Sequence, residues 1–156
     1  MRVLFMCTAN SCRSILSEAM FNHLAPQGFE AVSSGSFPKG QVLPRSLTTL
    51  QQAGISTEGL SSKGNDAFAN NLPDIVITVC DKAAGESCPV YFGPALKSHW
   101  GLEDPSNVVG DEAAVDSAFR ATLERIESRC KAFLDLPFHS LSRDELKREL
   151  DSIGAL

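Results

Sequence analysis

The chain has 156 residues, 43% hydrophobic and 21% charged, with a net charge of −5, the balance of an ordinary globular protein with enough chain to bury a core. No apolar run approaches the ~20 residues that cross a bilayer, and an acidic balance disfavours nucleic acid and anionic membrane as partners, because both reward basic patches. The apolar stretch at Met1–Cys7 is too short for an export signal, so the five cysteines are expected in a cytoplasmic protein, where structural disulfides are rare and thiols are buried, reactive or redox-active.

Residues 2–7 form a compact run of strand formers and predict a first strand. A polar loop follows. Ile15, Ala19, Met20 and Leu24 then lie on one helical stripe, which Pro26 and Gly28 end. Glu30–Ser34 predicts a second strand closed by Gly35. Pro44–Ala53 predicts a second helix, with proline in its first turn and Gly54 past its end. Asp66–Asn71 reads as a short helix. Asp74–Cys80 is the strongest strand, apolar on both faces as a central parallel strand should be, and Lys97–Leu102 is a shorter one. Asp111–Leu134 has long helical periodicity, with Cys130 on its apolar stripe. A last helix begins at Ser142, whose spacing to Glu145 matches a capping box. Its charge run, Arg143–Glu149, reads as a solvated face. Strands alternating with helices imply an α/β fold with a parallel sheet covered on both faces. No repeat or composition break divides residues 1–156, which read as a single domain.

The first chemical signal is the segment Cys7–Ser14. A strand ending in cysteine, then a loop, then a helix starting near Arg13, directs loop amides and a helix N-terminus at one spot, which suits an oxyanion. Arg13 can add a bidentate guanidinium. The same positive field favours the Cys7 thiolate, and Ser14 can donate its hydroxyl to the sulfur. Asn10 tolerates the left-handed conformation that a tight anion loop requires. Cys7-Thr8-Ala9-Asn10-Ser11-Cys12-Arg13-Ser14 resembles the C-x5-R-S loop of low-molecular-weight tyrosine phosphatases and of the arsenate reductases built on the same fold. The resemblance implies a three-layer α/β/α architecture with a four-stranded parallel sheet. It also implies Cys7 as nucleophile and Thr8, Ala9, Asn10, Ser11, Cys12 and Arg13 around the substrate.

A thiolate that displaces an oxygen from a tetrahedral centre needs a proton for the leaving group. Asp104-Pro105, taken alone, is an ordinary turn. Beside the anion loop it resembles the family's general-acid segment, with Asp104 as the acid. The preceding His99-Trp100-Gly101 fits the arsenate reductase variant, and Trp100 reads mainly as packing. The tyrosine pair common in the phosphatases near this point is missing.

Cys80 and Cys88 separate the two branches. Reducing pentavalent arsenic takes two electrons, which thiols can supply, whereas a phosphatase needs only water. Cys80 ends the strongest strand and should share the sheet edge of the Cys7 loop. The segment between the two cysteines, with Gly85, is short and polar. The resemblance implies a relay in which Cys7 attacks arsenate, Cys80 attacks Cys7 and releases arsenite, and Cys88 attacks Cys80. Thioredoxin, or glutathione with glutaredoxin, would then reduce the Cys80–Cys88 bond in a detoxification cycle by a monomeric enzyme. The alternatives are a phosphatase of the same fold and a non-enzymatic thiol sensor.

No bound cofactor is expected. The cysteine spacings lack the paired pattern of zinc sites. Some relatives hold potassium near the anion loop through Asn, Glu, Ser and Asp. Asn10, Glu18 and Ser33 match three of these, but Lys63 stands at the fourth and could replace the cation, so potassium is expected to do little. Cys12 and Cys130 receive no electron-transfer role. Residues after Leu134 read as an extension beyond the usual family length.

Overall fold

The computed structural model describes residues 1–82, 85 and 93–156. Cys88, and with it the predicted third relay thiol, lies outside the described residues. Four parallel strands form one sheet in the order β2-β1-β3-β4. They are β1 (Arg2–Cys7), β2 (Glu30–Gly35), β3 (Ile75–Thr78) and β4 (Leu96–His99). Cys7 pairs with Gly35, Met6 with Thr78, and Thr78 with His99, so all four strands end together at one edge. The α-helices are α1 (Arg13–Leu24), α2 (Pro44–Gln52), α3 (Glu112–Leu134) and α4 (Arg143–Gly154).

Period-two alternation sorts the side chains. Val3, Phe5, Cys7, Ile75 and Ile77 point into a large apolar cluster shared with α1, α3 and α4, while Leu4, Met6, Val76 and Ala95 form a smaller one on the other face, joined by Val32 and Phe68. Ser142 caps α4 with both arms of the capping box in place. The Asp111 side chain caps α3 by accepting from the Ala114 amide.

Three element boundaries differ from expectation. The short helix at 66–71 is a 3-10 turn over Asn65–Phe68; Gly64 and Asp66 accept the i+3 bonds that close it. β3 stops at Thr78, although the Val79 amide still reaches Met6 O at 2.9 Å. β4 occupies Leu96–His99 rather than 97–102, because Trp100 leaves the sheet to pack in the large cluster and donates its indole N–H to Leu150 O at 2.9 Å.

Phe133 is the hub of the large cluster. Its ring lies 5.5 Å from Phe21, 6.2 Å from Trp100 and 5.1 Å from Phe138, with no exposed surface. Phe133→Ala should therefore cost about 3–5 kcal/mol of stability, read as a lowered urea midpoint. A loss within ~0.5 kcal/mol, the range of an ordinary surface substitution, would show that the cluster does not carry the fold.

Candidate active site

The loop between β1 and α1 is held from outside. The carbonyl of Cys7 accepts from Ser36 N (3.3 Å), that of Thr8 from Phe37 N (2.8 Å), that of Ala9 from Lys39 N (3.0 Å), and that of Ser11 from Leu43 N (3.0 Å). Ser62 and Ser46 hydroxyls reinforce the Ala9 and Ser11 carbonyls. The peptide bonds are trans, and in a planar trans peptide the N–H points away from the carbonyl before it. With these carbonyls turned out, the amides of Thr8, Ala9, Asn10 and Cys12 turn inward, beside the N-terminus of α1. That arrangement is an anion cradle. Gly35, at the end of β2, lets the loop sit this close. A Cβ there would lie 2.5 Å from Thr8 O and 2.9 Å from Asn10 N.

Asn10 is the one described non-glycine residue with positive φ, 48°. Its amide N–H points at Cys7 Sγ (3.2 Å). Its side-chain NH2 donates to Ser14 Oγ (2.8 Å) and Ser33 Oγ (3.0 Å), and its Oδ1 accepts from Lys63 N (2.9 Å). Ser33 passes its own hydrogen to Glu18 Oε1 at 2.6 Å. Ser14 Oγ accepts from Asn10 and lies 2.8 Å from Cys7 Sγ, where its hydroxyl can donate to a thiolate. The Asn10 amide and the Ser14 hydroxyl thus both face the sulfur.

At the far end of this chain of bonds, Lys63 Nζ lies 3.6 Å from Glu18 Oε1. Burial raises the Glu18 carboxyl above its ordinary value, opposed by the Ser33 hydrogen bond and by Lys63. An ammonium in contact with the carboxylate that would ligate potassium does not leave a site fitted to that ion. Among the described residues no cluster of His, Cys, Asp or Glu is arranged to hold a metal.

Arg13 is buried, 6% exposed, at the first turn of α1. Its Nη1 donates to Leu102 O at 3.2 Å, and its Nη2 lies 3.6 Å from Asp104 Oδ2. Asp104 begins the 3-10 turn Pro105–Asn107. Its Oδ1 accepts from Ser106 N (2.9 Å) and Ser106 Oγ (2.6 Å), which leaves Oδ2 toward the arginine. The geometry therefore brings Cys7, Asn10, Arg13, Ser14 and Asp104 around one spot. Ser106 is a part of this site that the sequence did not single out. An Asp-Pro-Ser run, with Ser two residues after Asp, is the local signal of such a side-chain turn.

Cys80 is fully buried just past β3 and is disulfide-bonded, while Cys7, Cys12 and Cys130 are free thiols. Burial pushes the Cys12 thiol up to about 12, against a hydrogen bond with Ser46, and burial likewise takes Cys130 to about 12. Both stay protonated and are poor nucleophiles. His99 Nδ1 bonds Thr78 Oγ1 at 2.7 Å. Burial, with Lys82 and Arg129 nearby, holds its imidazole below the ordinary range.

A family model for low molecular weight phosphotyrosine protein phosphatases matches residues 2–151. The chain belongs to that family. Within the low molecular weight phosphatase family, the arsenate reductase of Bacillus subtilis is 29% identical to it over 133 residues, 85% of this chain and 94% of the relative. An arsenate reductase from Archaeoglobus fulgidus has a similar structure, with a TM-score of 0.66 and 25% identity over 83% of this chain and 98% of that one. A thioredoxin-dependent arsenate reductase from Corynebacterium glutamicum superimposes with a TM-score of 0.61 and 28% identity, over 83% of this chain and 58% of that one. The family match runs well into α4, while the aligned region takes in 94% of the Bacillus subtilis relative and 85% of this chain, which is therefore the longer of the two.

The Lys63–Glu18 contact generates a test. Exchanging potassium for sodium at constant ionic strength should leave turnover unchanged, whereas Lys63→Met should slow Cys7 alkylation by iodoacetamide at pH 7. Strong activation of the unaltered protein by potassium would contradict the assignment of this position to Lys63.

Proposed function

We propose that this protein reduces arsenate to arsenite through a thiol relay, as a single-domain, monomeric, cytoplasmic enzyme of arsenic detoxification. The observation that carries the reading is the redox pattern of the cysteines. Cys80, at the sheet edge shared with the anion loop, is in a disulfide while Cys7 remains a thiol. Phosphate-ester hydrolysis has no use for a second, oxidisable cysteine at that edge. The likeness to proteins described as arsenate reductases supports the same choice.

In the first step the Cys7 thiolate, facing the Ser14 hydroxyl and the Asn10 amide, attacks arsenic. Arg13 and the inward amides of the loop, those of Thr8, Ala9 and Cys12 among them, hold the remaining oxygens. Asp104 gives its proton to the oxygen that leaves as water, and a Cys7–arsenic(V) adduct forms. Cys80 next attacks the Cys7 sulfur. The sulfur–arsenic bond breaks, its electron pair stays on arsenic, and arsenite departs while a Cys7–Cys80 disulfide forms. Cys88 then attacks Cys80, freeing Cys7 and leaving Cys80–Cys88. Two thiols have become one disulfide, which balances the two electrons gained by arsenic. A dithiol protein such as thioredoxin closes the cycle. The thioredoxin-dependent relative supports that reductant over glutathione with glutaredoxin.

Arsenate-dependent NADPH oxidation, coupled through thioredoxin and thioredoxin reductase, tests the proposal. Steady turnover is expected, and Cys80→Ser should abolish it while sparing hydrolysis of p-nitrophenyl phosphate. Turnover only with glutathione and glutaredoxin would move the reductant. No reduction in either system, with the ester still hydrolysed, would make the protein a phosphatase.

A further inference from the structure

Arg129 is a buried cation held by main-chain oxygens. It projects from α3 with 3% of its surface exposed. No Asp or Glu side chain among the described residues is paired with it, and its Nε makes no hydrogen bond. Its partners are three main-chain oxygens, the last on the terminal residue Leu156. Nη1 donates to Gly101 O at 3.0 Å, and Nη2 to Gly154 O at 3.2 Å and Leu156 O at 3.1 Å. Burial and nearby Arg125 both work against its charge. A buried guanidinium is costly, and such a group stays where the dipoles it gathers matter. Here they come from the C-terminal end of α4, which carries partial negative charge, and from the segment that leads to Asp104.

The same segment is gripped along its length. Trp100 donates to Leu150 O of α4, and Ser98 Oγ donates to Asp151 Oδ1 at 2.8 Å. The next carbonyl after Gly101, that of Leu102, is held by Arg13. Gly154 seats α4 directly on this run, because a Cβ there would strike His99 O and lie 2.8 Å from Trp100 Cδ1. Successive carbonyls are thus fixed by two arginines, one in the anion site and one on α3 that also bonds the end of α4, and Asp104 follows two residues later.

We propose that Arg129 and the end of α4 form a brace that positions the Asp104 loop, making Arg129 a positioning residue for the protonation step although it does not touch the substrate. The brace rests on Asp104 as the acid. It predicts that Arg129→Leu lowers kcat about 10- to 100-fold, the range for slight misplacement of a catalytic group, with KM little changed. Arg129→Lys should recover part of the loss. Gly154→Ala, which improves helix propensity and removes no hydrogen bond, should act in the same direction by lifting α4 from the loop.

A double-mutant cycle with Asp104→Asn distinguishes the brace from plain loss of stability. If Arg129 acts through Asp104, Arg129→Leu costs nothing further once the carboxylate is gone. Both arsenate reduction and p-nitrophenyl phosphate hydrolysis should be read. The ester reaction needs only the anion loop and the acid, so the cycle is decided there even if arsenate reduction fails. Emission from Trp100, the one tryptophan, checks that each variant retains its packed loop environment or shows how it has shifted. Equal losses with Asp104 present and in the Asp104→Asn background, or wild-type kcat in both Arg129→Leu and Gly154→Ala, would overturn the brace.

Discussion

The left-handed turn at Asn10 is the constraint on which the site depends. One residue at φ 48° reverses the loop, and its backbone N–H then faces the Cys7 sulfur while its side chain reaches three segments of chain. An L-residue in this conformation is strained by roughly 1–2 kcal/mol, offset here by four hydrogen bonds. Gly35 completes the arrangement from the side of β2, since any side chain would collide with the loop backbone. Turn chemistry and the absence of a Cβ together place the inward amides.

From that point the division of labour follows the sheet edge. β1 ends at Cys7, and Cys80 lies just past the end of the neighbouring strand β3. The segment after β4 brings Asp104 across to Arg13. Cys7 belongs to the large cluster, with its aromatic packing. Such packing suits a site in which oxygens must be met by fixed dipoles, because preorganised donors need not reorient as charge develops. Cys12 and Cys130, by contrast, are kept protonated by burial, so a chain with several thiols still presents a defined set for exchange.

Much of this was legible in the sequence because its chemistry is local. Cys7, Asn10, Arg13 and Ser14 fall within eight consecutive residues, and strand, loop and helix signals bracket them. The capping box at Ser142 and Glu145 was readable for the same reason. Lys63 was also placed near Glu18 from sequence, and the two make contact. The segment 36–46, which takes the outward carbonyls of the loop, was not legible, since its contacts are backbone amides of an aperiodic stretch. Nor was Arg129. It stands among charged residues on a long helix, and only the return of α4 reveals that it is buried. The early end of β4 has the same origin, because Trp100 turns away to meet a helix fifty residues later in the chain. The third thiol of the relay, Cys88, rests on the sequence alone, outside the described residues.

The most direct measurement of the central claim is a single turnover without any external reductant. Fully reduced protein would be mixed with excess arsenate, arsenite counted, and the thiols mapped by differential alkylation and peptide mass spectrometry. The account predicts one arsenite per chain, a Cys80–Cys88 disulfide, and Cys7 recovered as a free thiol. Arsenite release with Cys80 still reduced, or no arsenite from protein whose Cys7 is fully reactive, would contradict it.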